Sequence, residues 1–122
     1  WNYNFYEELI KCKMALNLSR GRAMKYYSSN RIASLVANGI MTFIDKRVGY
    51  SDFFDDSEMG FYENVDDLLK QMDKLYSNIN KVNKISKNGK KKYFSIFNNQ
   101  IISDYIISKT FNKKGKFKYV WE

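Results

Sequence analysis

Two short apolar runs, Met14–Leu18 and Ile40–Ile44, flank a basic loop and a helix-forming segment, and this order constrains the fold more than any other feature. The stretch reads MALNLS, RGRAMKYYSSN, RIASLVANG and IMTFIDK. Ile40–Ile44 is continuously apolar between Gly39 and Asp45, the pattern of a strand buried on both faces of a parallel sheet. Ser28, Ser29 and Asn30 are all good helix caps, and Gly39 suits the left-handed position that follows a helix end. Ile32, Leu35 and Val36 then form the buried side, while Arg31, Ser34 and Asn38 share a polar face. The whole is one βαβ unit, whose loop and helix start lie where such units bind phosphates.

The remaining chain reads as cover for this sheet. Phe5–Lys13 has Phe5, Leu9 and Cys12 at helical spacing, and Met59–Tyr62 reads as a third short strand. Asn64 caps a helix carrying Val65, Leu68, Leu69, Met72, Leu75 and Tyr76 at the helical period. Ile79–Asn88 forms another helix, which Gly89 is expected to interrupt before Lys90–Phe97 continues. Asn98–Lys109 is a further helix with Ile101, Ile102, Tyr105 and Ile106 as its stripe. The fold class is therefore α/β: a Rossmann-like half-domain of about three parallel strands with flanking helices and a helical C-terminal half. Within one domain, residues 1–62 hold the sheet, 63–110 the helices, and 111–122 a basic, aromatic tail that is either a disordered end or a docking strand.

Composition narrows the chemistry. The 122 residues contain no histidine, which removes His-based triads, His metal sites and imidazole acid–base catalysis within the chain. The one cysteine, Cys12, has no internal disulfide partner and suits a reducing, cytoplasmic setting. No apolar run approaches the ~20 residues of a membrane span, although a peripheral membrane association stays open. The net charge is +8, and residues 61–122 carry thirteen basic groups against six acidic ones. Nucleic acid is disfavoured as a partner, because the lysines sit at helix-surface spacing and beside no nucleic-acid motif.

Two readings stand for the basic loop. Arg20, Arg22 and Lys25 close over an anionic ligand, or they are ordinary loop charges. Likewise, Ser29–Arg31 either holds a diphosphate with backbone N–H groups and Arg31, or simply caps the helix while Arg31 pairs with a nearby carboxylate. Asp52, Asp55, Asp56 and Glu58 have neither calcium-loop spacing nor that of an acid–base pair.

The run NRIASLVANGIMTFIDK resembles the Arg-hydrophobic-x-Glu-Ala segment in the C-terminal domain of group 1 glycosyltransferases, whose overall architecture is the two-domain GT-B fold. Its neighbours resemble that family in order: NLSR before it, then GYSDFFDD, GFYEN, an LLxxMxxL-type helix and NGKKKY, from about Phe5 to Thr110. The resemblance implies transfer of a sugar from a nucleoside diphosphate sugar, without a cofactor or bound metal. It implies donor and phosphate contacts from Ser19, Arg20, Gly21, Ser29, Asn30, Arg31 and Ser34. Many members have Glu at the position of Ser34, and some have another at that of Tyr26; this chain has neither. It implies, too, that Trp1–Glu122 is a fragment lacking its N-terminal domain, inactive alone. Met14–Leu18 would then be an exposed strand edge that pairs with a second copy or is covered by the tail. The alternative is a non-catalytic module that binds protein or nucleic acid through the Lys81–Lys118 surface.

Overall fold

The computed structural model describes residues 3–19, 21–27 and 29–122. Three parallel strands form one sheet in the order β1 (Met14–Asn17), β2 (Met41–Asp45), β3 (Gly60–Tyr62). Met14 aligns with Met41, and Phe43 with Gly60. Every residue of the central strand is buried, as its unbroken apolar run requires. Helix α1 (Tyr3–Leu9) precedes the sheet, and α2 (Asn30–Val36) connects β1 to β2. Two 3₁₀ turns, Lys46–Val48 and Tyr50–Asp52, carry the chain toward β3. Helices α3 (Val65–Tyr76), α4 (Ile79–Ile96) and α5 (Asn99–Thr110) follow. This is the expected α/β half-domain.

The alternation of side chains along β2 divides the core. Ile44 packs with Ile32 and Val36 of α2 and with Val48, Tyr50 and Phe54. Met41 and Phe43 pack on the other side with Leu68 and Leu75 of α3 and Val82 and Ile85 of α4. A third cluster joins Leu9 of α1 to Leu35 and Ile40. Both faces of the sheet are thus covered by helices, as parallel sheets require.

Several local expectations change. The first helix ends at Leu9 rather than Lys13, because Lys11 and Cys12 turn back to Glu8 and Leu9 with short i→i+3 bonds before β1 starts. Cys12 is exposed, not on an apolar face. Gly89 does not interrupt a helix: α4 runs unbroken from Ile79 to Ile96. Gly89 is buried there, and a Cβ on it would collide with the carbonyl oxygen of Glu58. Its role is close approach of helix to backbone, which the sequence pattern reads as a break. On α3, Val65, Leu69 and Tyr76 are exposed despite their period; only Leu68 and Leu75 are buried, with Met72 packed beside them. On α5, Ile101 is buried but Ile102 and Ile106 are exposed.

The tail is neither strand nor disordered. Tyr119 is buried, its hydroxyl donating to Asp104 Oδ2 at 2.7 Å, and Trp121 stacks on Phe97 at 5.7 Å. The tail therefore docks on α5 and the end of α4, and the expectation that it covers β1 is corrected.

The two sheet edges differ. The peptide groups of Phe61 and Glu63 point away from β2, and side chains of α3 meet them: Gln71 Nε2 donates to the Phe61 carbonyl at 2.7 Å, and the Glu63 N–H donates to Asp67 Oδ2 at 3.0 Å. At the opposite edge the Met41 N–H donates to the Lys13 carbonyl, which sets the ladder so that the peptide groups of Met14 and Leu16 point outward. No side chain among the described residues bonds them.

Candidate functional site

In a parallel sheet, ligands bind beyond the carboxyl ends of the strands. Here those ends are Asn17 and Leu18 after β1, Asp45–Arg47 after β2, and Tyr62–Glu63 after β3. Most of the sequence-derived site residues gather at the first of these. Asn17 is buried, and Ser29 Oγ donates to its Oδ1 at 3.3 Å. Ser29 holds the N-cap position of α2, yet its hydroxyl points to β1 and caps no helix N–H. Arg31 is exposed and its guanidinium donates to the Leu18 carbonyl at 3.1 Å. Its partner is thus a backbone carbonyl rather than a carboxylate. Helix start and strand end are thereby tied at two points.

Ser34 lies one turn along. Its hydroxyl donates to the Asn30 carbonyl at 3.0 Å, and Asn38 Nδ2 donates to the Ser34 carbonyl at 2.6 Å. The expected polar face exists, but the Ser34 and Asn38 hydrogen bonds run along the helix. Asn30 is exposed at the helix start, Ser19 is half-buried just beyond β1, and Gly21 is exposed with φ 68°. Arg20 and Ser28 lie outside the described residues.

The groups at the end of β2 are not among the site residues expected from the sequence. Asp45, buried at 8% exposure, receives the Arg47 side chain through both carboxylate oxygens, with Nε at 3.0 Å and Nη2 at 2.5 Å, and also the Arg47 N–H. These hydrogen bonds hold its carboxyl below the usual carboxylate value, against the opposing effect of burial. Burial, and then the negative charge of Asp45, raise the Tyr62 hydroxyl. Lys46 reaches across to Glu63 at 2.6 Å, linking the ends of β2 and β3. A polar residue closing an apolar strand was the available signal, since Asp45 marks the boundary of Ile40–Ile44.

A groove of about 870 Å³ runs along β3, among residues such as Lys46, Glu63, Gln71, Lys74 and Lys81. None of the sequence-derived site residues lines it. Among the described residues, no three or more histidine, cysteine or acidic side chains are placed to hold a metal ion. The clustered carboxylates instead shape local turns: Asp55 accepts from the Ser57 N–H, and Glu58 from the Asp55 N–H. No helix among the described residues is long and apolar enough to cross a membrane.

The parallel sheet, its covering helices and the polar groups at its carboxyl edge define a Rossmann-like half-domain. A family model described as glycosyl transferase-like matches residues 1–107, and the chain belongs to that family. No curated protein and no solved structure matches it.

Proposed function

We propose that this chain forms the donor side of a glycosyl transfer site. A nucleoside diphosphate sugar lies over the carboxyl ends of β1 and β2, and its diphosphate meets Arg31, the basic loop residues and the first peptide groups of α2. Arg31 neutralises phosphate charge, while Ser29 and Asn30 supply hydrogen bonds. Ser34 contributes only its hydroxyl oxygen. The acceptor and any general base come from an opposing domain, in a GT-B arrangement.

The observation that carries this reading is the Arg31–Leu18 contact at 3.1 Å, which sets a guanidinium at the carboxyl end of a parallel strand in a glycosyl transferase-like chain. Calorimetry with UDP and GDP tests it. Saturable binding of either nucleotide, weakened about tenfold or more by Arg31→Ala, is the expected result. Strongly salt-dependent binding of single-stranded RNA, with no nucleotide effect, would instead favour the lysine-rich surface of α4 and the tail.

A further inference from the structure

Tyr26 is held in an unusual way. Its φ is 59°, in the left-handed region that an aromatic L-residue rarely adopts. Four contacts maintain it there, and Gly49 leaves room for its ring. Its N–H donates to the Val48 carbonyl at 2.7 Å, and its hydroxyl donates to Asp52 Oδ2 at 2.5 Å. Its ring lies 5.1 Å from that of Phe53. Gly49 faces the ring so closely that a Cβ there would stand 3.2 Å from Cε1. Lys25 Nζ sits 4.7 Å from the ring centroid.

These contacts join two segments that are distant in sequence. Residues 21–27 lie beyond β1 in the chain, and residues 46–53 follow the carboxyl end of β2. Farther back in the loop, Ala23 packs against the core shared with Ile32, Val48 and Phe54. The stretch between Gly21 and Tyr27 is thus fastened at Ala23 and at Tyr26, with Arg22 and Lys25 left exposed beside those anchors. An isolated tyrosine gains little from a left-handed backbone, so the cost of order 1 kcal/mol or more is met by the surrounding contacts.

We propose that Tyr26 is a positioning residue: fastened to Asp52 and Val48, it holds Arg22 and Lys25 over the strand ends, where they face the anionic part of the ligand. This rests on the donor-site reading and deepens it. Binding then draws on a loop already in place, and loses less conformational freedom than a mobile one. In this role the Tyr26 hydroxyl acts through its bond to Asp52, and its effect passes through the two cations.

A double-mutant cycle on the affinity for UDP and GDP tests this. Tyr26→Phe removes the Asp52 bond but keeps the ring, and should weaken binding roughly fivefold. Asp52→Ala should match it, whereas Asp52→Asn, which retains an acceptor, should restore most of the affinity. Arg22→Ala and Lys25→Ala should each cost less in the Tyr26→Phe background than in the wild type. A merely structural tyrosine would lower Tm and leave these costs unchanged, and additive costs overturn the proposal. Tyr26→Gly keeps the left-handed backbone without strain, so a folded variant with weakened binding supports it again. Amide exchange distinguishes failure of this inference from failure of the donor-site reading. If wild-type protein binds neither nucleotide, the donor reading falls. The fastening of the loop by Tyr26 is then judged by exchange alone: faster exchange at residues 22–27 in Tyr26→Phe supports it, and unchanged exchange overturns it.

Discussion

Gln71 Nε2 donates to the Phe61 carbonyl at 2.7 Å, so a helix side chain occupies the hydrogen-bonding edge of β3. Asp67 accepts from both the Glu63 N–H and Gln71 Nε2, and that pairing depresses its carboxyl below the usual value. The sheet is closed on this side, whereas no side chain among the described residues bonds the outward peptide groups of β1. An open edge is a template for another strand.

Amide exchange at β1 should therefore alternate. Ala15 and Asn17 point toward β2 and should be protected, whereas Met14 and Leu16 should exchange quickly at low concentration. At higher protein concentration, Met14 and Leu16 should slow as a second copy pairs there. Exchange independent of concentration, with a monomer by light scattering, removes the self-association. On the opposite edge, Gln71→Ala should cost about 1 kcal/mol by exposing an unpaired carbonyl.

Replacing Gly89 should reverse the usual helix preference. Alanine normally stabilises a helix interior by about 1 kcal/mol relative to glycine. Here its Cβ would meet the Glu58 carbonyl, so α4 or the 55–59 turn must shift. Gly89→Ala should lose about 2 kcal/mol in urea unfolding. A gain in stability would show that the helix does not approach that backbone.

Asp45 makes stability depend on pH. Its folded carboxyl titrates below the ordinary 3.8, chiefly because Arg47 donates to it. A group whose folded value is lowered contributes stability above its unfolded value and loses that contribution as pH falls through the folded one. The stability difference between wild type and Arg47→Ala should thus be constant above about pH 5 and shrink below pH 4. Urea midpoints measured from pH 6 to pH 2.5 test this, and a difference that persists unchanged in acid argues against the pair.

The tail should report its own docking. Tyr119→Phe deletes the hydrogen bond to Asp104 and the contact of its hydroxyl with Ser108 at 3.2 Å. It should destabilise the tail by about 1 kcal/mol and shift Trp121 emission to longer wavelength as the stack on Phe97 loosens. Trp1→Phe in the same protein removes the second tryptophan from the signal. Unchanged emission would mean that Trp121 is held independently of Tyr119.

The sequence by itself determined the parallel βαβ order, the buried side of α2, the Asn64 cap and the clustering of Ser29, Asn30 and Arg31 near the end of β1. Each is a local consequence of apolar period, capping chemistry or the uninterrupted run at Ile40–Ile44, and needs no distant partner. Asn64 indeed accepts from the Asp67 N–H, and Gly39 follows α2 with φ 75°. What only the tertiary structure decided depends on residues far apart in the chain. The partner of Gly89 is a carbonyl 31 positions earlier, and the Tyr26 hydroxyl meets a carboxylate 26 positions later. Burial of Leu68 but not Leu69 depends on which side of α3 meets the sheet. Periodicity specifies which residues share a face, but packing against a particular neighbour selects the part of that face that leaves water.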